Sequence, residues 1–252
     1  MNKKKHGFLG NIPLLIVEVC VLFIAIGIMA AVITMTKQVN HRDIDEEKIQ
    51  INDEVAKKKT TEVEKAPVKE EKKEVSYRNI ALFGVDARNG ELGKGTRSDT
   101  IIIASINQDT QEIKLISVFR DTYLNLGNDA YNKCNSAYAQ GGPEQAINML
   151  NMNLDLDITD YVTIGFSGLI DAVDALGGIE IEITDAEITH LNNYQLCMAQ
   201  ELGVDYTPVE KSGRQLLNGM QATAYCRIRY TRGDDFRRAE RQRQVLAAMM
   251  EK

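Results

Sequence analysis

Residues 160–184, "DYVTIGFSGLIDAVDALGGIEIEIT", decide the fold. "DYVTIGF" is a β-branched and aromatic run that reads as a strand. "SGLIDAVDALGG" has a serine at its start and paired glycines at its stop, the punctuation of a helix. "IEIEIT" then alternates apolar and acidic residues at the period of a half-buried strand. Strand, helix and strand in succession predict an α/β domain.

The same pattern extends upstream. "YRNIALFGVD" (Tyr77 to Asp86) reads as a buried strand, and "DTIIIASIN" and "EIKLISVF" as two more, separated by "QDTQ" in the manner of a hairpin. In "GGPEQAINMLNMNL", Pro143 suits the first turn of a helix that carries Ala146, Ile147 and Leu150 on one face. Downstream, the region of "LLNGMQATAYCRIR" predicts a late helix, and another runs from about Phe236 to the last residue. The expected fold class is α/β, a mixed sheet layered between helices (α/β/α) with an antiparallel hairpin inside it.

Composition divides the 252 residues into parts. After a short tail, 1–11, with Lys3, Lys4 and Lys5, residues 12–35 are apolar apart from Glu18 and a few residues a helix tolerates. A bilayer core needs about 20 such residues, so a transmembrane helix is expected. The run is too long for a signal-peptide core, and no small-x-small cleavage site follows it. The lysines before the span place the N-terminus in the cytoplasm and everything after Met35 outside. Residues 36–75 are rich in Lys and Glu and lack aromatic residues, which reads as a charged spacer. The folded domain occupies 76–252; the chain reaches "VLAAMMEK" in mid-helix, so the C-terminal end is expected to be incomplete.

Charge and cysteine usage narrow the function classes. From Ser76 onward stand 12 arginines and 5 lysines against 24 acidic residues, the opposite of a nucleic-acid binder. Cys134, Cys197 and Cys226 show neither CxxC nor zinc spacing, so free thiols are the default reading, with one bridge among the three left open. With His6 in the tail, His41 in the spacer and His190 alone in a polar stretch, a Ser-His-Asp or Cys-His arrangement has little support. Acid-base chemistry falls to carboxylates.

Against a formal net charge of -6, "RIRYTRGDDFRRAERQRQ" (Arg227 to Gln244) holds seven arginines and no lysine. Charge solvation alone would accept either residue, and a solvated face accounts for Arg232 and Arg243. A planar guanidinium binds phosphate oxygens bidentately, which a lysine cannot do. On a helix starting near Asp235, Arg238, Arg241 and Gln242 form one stripe, with Arg237 beside it. Asp86 ends one strand and Asp99 opens the next, with Arg97 two residues earlier; Arg120 and Asp121 follow a third. Acids and arginines at neighbouring strand ends suit a diphosphate held by guanidinium groups and a divalent cation on oxygen ligands.

Taken in order, "GVDAR", "RSDTI", "RDTYL", "KCNSAYAQGG", "FSGLIDAVDALGGIEI", "LLNGMQATAYCRIR" and "GDDFRRAERQRQV" resemble the LytR-CpsA-Psr family of Gram-positive cell-wall proteins. The resemblance implies an apolar groove for a polyprenyl chain. It also implies transfer of an anionic glycopolymer (teichoic acid or capsular polysaccharide) from undecaprenyl pyrophosphate onto peptidoglycan, dependent on Mg2+ or Mn2+. By motif, Asp86 and Asp99 are the implied metal-associated acids. Arg97, Arg120, Lys133, Arg227, Arg229, Arg238 and Gln242 are the implied pyrophosphate contacts, supported by Arg241 and Asp235, and Asp99, Arg120 and Asp235 are the implied catalytic residues, Asp235 as candidate base. Phe119 stands where the family usually has proline and Cys134 where it has an aliphatic residue; neither change removes a charged ligand. Two other readings stand beside the transferase: a non-catalytic binder of polyprenyl phosphates, and a membrane-bound transcriptional attenuator, which the expected topology opposes.

Overall fold

Three apolar runs and one downstream strand build the central sheet of the computed structural model, which describes residues 42, 44–57, 76–87, 92–230 and 234–252. Strands β1 (Tyr77–Val85), β2 (Ser98–Asn107), β3 (Ile113–Ser117) and β6 (Asp160–Ile164) lie in the order β3-β2-β1-β6. β2 and β3 form the expected antiparallel hairpin, β1 pairs antiparallel with β2, and β6 joins β1 parallel, so the sheet is mixed. The hairpin turn is closed by Asn107, whose Oδ1 accepts from the amides of Asp109 (2.9 Å) and Thr110 (3.0 Å).

Strand alternation assigns the two faces of this sheet different tasks. Ala81, Phe83 and Val85 of β1 and Ile101 and Ile103 of β2 turn to one side. There they are buried against α1 (Asn135–Leu154), together with Tyr138, Ala146, Ile147 and Leu150. Their neighbours Leu82, Gly84, Thr100 and Ile102 turn to the other side and line a cavity. Gly84 is required there, because a Cβ would lie 2.8 Å from that of Thr100. Over this second face stand α2 (Phe166–Ala175), α3 (Asp185–Leu202), α4 (Gly219–Arg227) and α5 (Asp234–Met250), which contribute the cavity's remaining walls. A second apolar core, including Val173, Ile179, Ile183, Leu191, Met198, Leu217 and Tyr225, ties these helices to a two-stranded ribbon.

Several elements differ from expectation. "IEIEIT" forms β7 (Ile179–Ile183), which pairs with β8 (Gly213–Leu217) in its own ribbon. A further short ribbon, β4 (Tyr123–Asn125) with β5 (Tyr131–Lys133), occupies what reads as loop. The polar stretch around His190 is α3, nucleated by a capping box in which Thr184 Oγ1 and backbone N both bond Glu187 Oε2 (2.8 and 2.9 Å). α2 starts at Phe166 with Gly165 as its N-cap, one residue before the predicted serine, and stops at Gly177 and Gly178, both with positive φ. Pro143 does open a helical run, because Gly142 (φ 73°) breaks α1 immediately before it.

The predicted span at residues 12–35 lies outside the described residues; among those described, no helix is long and apolar enough to cross a membrane. Part of the predicted spacer is docked. Ile44 and Ile49 pack against the α1 core, and buried Asn148 binds the adjoining backbone, accepting from Gln50 N (2.7 Å) and donating to Lys48 O (2.9 Å). Two asparagines on α1, Asn148 and Asn151, give this charged segment the partners its own composition lacks. The three described cysteines are free thiols; Cys134 is buried and Cys197 exposed.

Candidate active site

Asp99, second residue of β2, is the hub. Arg120 Nη1 lies 2.6 Å from its Oδ1 and Arg229 Nη2 3.5 Å from its Oδ2, while Arg238 Nη2 donates to its backbone oxygen (3.4 Å). Arg238 also reaches Asp235 (3.4 Å), which lies 3.9 Å from Arg229. Residues more than a hundred positions apart are joined because the start of β2 lies beside the first turns of α5. Burial depresses the Arg238 guanidinium, and the charge of Arg229 adds to that. Such a group gains from any anion brought to it.

The cavity beside this hub has a volume of about 350 Å³. One part is apolar, with Leu82, Ile102, Ile164, Leu169, Val245 and Leu246; the other carries Asp86, Asp99, Arg120, Arg227, Arg229 and Arg238, with Gln242. Four guanidinium groups thus face two carboxylates. Arg227 Nη1 is buried without a hydrogen-bond partner. Its guanidinium instead lies over Phe166 (4.4 Å) and Tyr194 (5.2 Å), an aromatic cradle that holds the plane of the fork without neutralising it. A second cavity, about 360 Å³, shares Asp99, Thr100, Arg120, Arg238 and Gln242 with the first and adds Asp121, Phe119, Asp235 and Phe236.

Most of the residues expected from sequence meet here, and three do not. Arg97 is exposed and lines neither cavity: β2 begins at Ser98, so strand alternation does not carry Arg97 to the face of Asp99. Lys133 ends β5 and pairs with Asp121 (3.1 Å), holding that carboxyl below the usual range, but it too lies outside both linings. Arg241 turns away from the stripe it was assigned to. It is buried, bonding Glu187 Oε1 (2.7 Å) and the carbonyl of Ile228 (3.1 Å), and so clamps α5 to α3. Phe166, Tyr194 and the Phe119–Phe236 pair escaped sequence reasoning; only the cavity makes them neighbours of charged groups.

Among the described residues no group of three or more His, Cys, Asp or Glu gathers. Mg2+ is commonly held by only one or two carboxylates, with substrate phosphates and water completing its shell. Asp86 and Asp99 on one cavity wall fit that donor set.

The fold and site together are those of an α/β domain with arginines, carboxylates and apolar side chains lining one cavity. The chain belongs to the LytR_cpsA_psr family, whose model matches residues 42–252. It is 35% identical over 176 residues to the polyisoprenyl-teichoic acid–peptidoglycan teichoic acid transferase TagU of Enterococcus faecalis, a match covering 69% of this chain and 53% of that one. The chain spans about half the length of the curated relatives it matches. Among solved structures it is similar to TagT bound to LI-WTA (26% identity, TM-score 0.58, 73% and 67% of the two chains). It is also similar to the LytR-CPS2A-psr family protein YwtF (TagT) with bound octaprenyl pyrophosphate lipid (25% identity, TM-score 0.55, 73% and 68%).

Proposed function

We propose that this chain is a membrane-anchored phosphotransferase, facing outward, that moves an anionic glycopolymer from a polyprenyl pyrophosphate carrier to peptidoglycan. The observation that carries the reading is the convergence of Arg120, Arg227, Arg229 and Arg238 on the polar end of an apolar cavity. Relatives named for teichoic acid transfer, and one with octaprenyl pyrophosphate bound, support it; undecaprenyl as carrier and teichoic acid or capsular polysaccharide as cargo are part of the proposal.

The chemistry balances as a displacement at phosphorus. An acceptor hydroxyl attacks the phosphorus next to the polymer, the bond to the bridging oxygen breaks, and polyprenyl phosphate leaves with that oxygen. A phosphodiester remains on the acceptor. Arg120, Arg229 and Arg238 stabilise the charge that develops on the phosphoryl and bridging oxygens. Arg227, fixed by Phe166 and Tyr194, orients the diphosphate from the cavity side. Asp86 and Asp99 would hold Mg2+, which supplies further neutralisation of phosphate charge when bound. Asp235 lines the second cavity and not the first, which supports it as the base that takes the proton from an acceptor arriving there.

The test uses the full chain in detergent with Mg2+, a polyprenyl-pyrophosphate-linked glycopolymer and a peptidoglycan acceptor. Transfer that Arg120→Ala abolishes is expected. Tight donor binding without turnover in the unaltered chain would instead establish a non-catalytic binder.

A further inference from the structure

The second cavity has a rim that the transferase reading leaves unexplained. Phe119, which follows β3, and Phe236, in the first turn of α5, pack edge to face with centroids 4.6 Å apart, yet they remain 38% and 69% exposed. Two large rings meeting in solvent beside Asp121, Asp235 and Gln242 form an amphipathic surface. On the neighbouring β4–β5 ribbon, Tyr123 and Tyr131 stack at 6.0 Å and are 69% and 59% exposed. The ribbon is tied to the cavity wall by the Lys133–Asp121 ion pair and by the bond from Cys134 N to Thr122 O (2.8 Å). The ribbon that carries Tyr123 and Tyr131 is thus joined to the wall of the cavity that Phe119 and Phe236 line.

The geometry points to this rim as the docking platform for the acceptor glycan, with Phe119 and Phe236 stacking on the sugar ring nearest the reaction and Tyr123 and Tyr131 on a ring further along the strand. The occupant follows from chemistry. A pyranose presents an apolar C–H face to an aromatic ring while its edge hydroxyls need carboxylate and amide partners, and this rim offers both. The side follows from the reaction. In an in-line displacement the attacking oxygen stands opposite the leaving oxygen. The polyprenyl phosphate departs into the apolar first cavity, so the acceptor must come from across the shared wall of Asp99, Arg120 and Arg238, where the second cavity lies. The inference rests on the transferase reading for its direction, but the platform itself can be tested without turnover.

Soluble peptidoglycan glycan fragments of two and of six sugars are titrated into the full chain without donor, by calorimetry, and octaprenyl pyrophosphate is titrated separately. Phe236→Ala is expected to weaken both glycans by about tenfold, the scale of one lost stacking contact. Phe236→Tyr, which keeps the ring, should retain affinity. Tyr123→Ala should weaken the six-sugar fragment and leave the two-sugar fragment unchanged, and octaprenyl pyrophosphate affinity should be unchanged in every variant. Glycan affinity that survives Phe236→Ala, or fragments that fail to bind the unaltered chain, would overturn the platform. Glycan binding intact in a chain that cannot bind octaprenyl pyrophosphate would uphold the platform while refuting the proposed transferase.

Discussion

Arg227, the last residue of α4, and Arg241, on α5, belong to the same arginine-rich segment, yet the fold gives them opposite roles. Arg227 is a cation on an aromatic cradle, with a buried nitrogen that meets no partner. Replacing it with lysine keeps the charge and loses the planar fork, so octaprenyl pyrophosphate affinity should fall by about tenfold in Arg227→Lys, measured by calorimetry. Arg120→Ala should cost on the order of a hundredfold or more in transfer rate with the fold intact, as expected for a charge that acts on developing oxyanions. Arg241 is spent on Glu187, at 2.7 Å with both side chains buried. Removing one partner strands the other, so Glu187→Ala should destabilise the chain by about 3–5 kcal/mol in denaturant melts. Burial works against the Glu187 carboxylate, but the Thr184 backbone bond and Arg241 outweigh it and hold its pKa below the usual 4.5. Since the folded value is the depressed one, this contribution is complete above about pH 4.5 and is lost as pH falls below it. Glu187→Gln should therefore flatten the acid limb of the stability curve.

At the scale of elements, helix α4 meets α2 at Gly219, where a Cβ would overlap the backbone carbonyl of Ile170 and where the amide donates to Asp174 Oδ1 (2.6 Å). Gly219→Ala should cost at least about 1–3 kcal/mol, read as a shift in the denaturation midpoint, because backbone rather than a mobile side chain must give way. Strands β1, β2 and β3 were legible in the sequence as β-branched runs, and α2 from the serine and glycines that flank it. α3 was not: Leu191, Tyr194 and Met198 do keep helical spacing, but they are set among Asn192, whose partner is the distant Val209 backbone, and Gln195, which donates to Asn192. β8, with no β-branched residue in "GRQLL", exists because β7 pairs with it. In the candidate site, motif order indicated which charges would assemble. It could not separate Arg238 from Arg241, three residues and about 60° apart around a helix, of which one faces the cavity and the other faces α3.

Across the whole molecule, one sheet divides the labour. Its α1 face is a closed core onto which residues 44–52 are latched through Asn148 and Asn151; Asn148→Ala should speed amide exchange at Gln50 without altering the site. Its other face is left open beneath α4 and α5, and every charged group of the hub borders that opening. The central claim is that this opening exists to seat a lipid-linked diphosphate. Titrating octaprenyl pyrophosphate into the full chain by calorimetry, with and without Arg227→Ala and Arg238→Ala, tests it most directly. Saturable one-to-one binding that either substitution weakens at least tenfold is the predicted result; binding that is absent, or that is indifferent to both arginines, would contradict it.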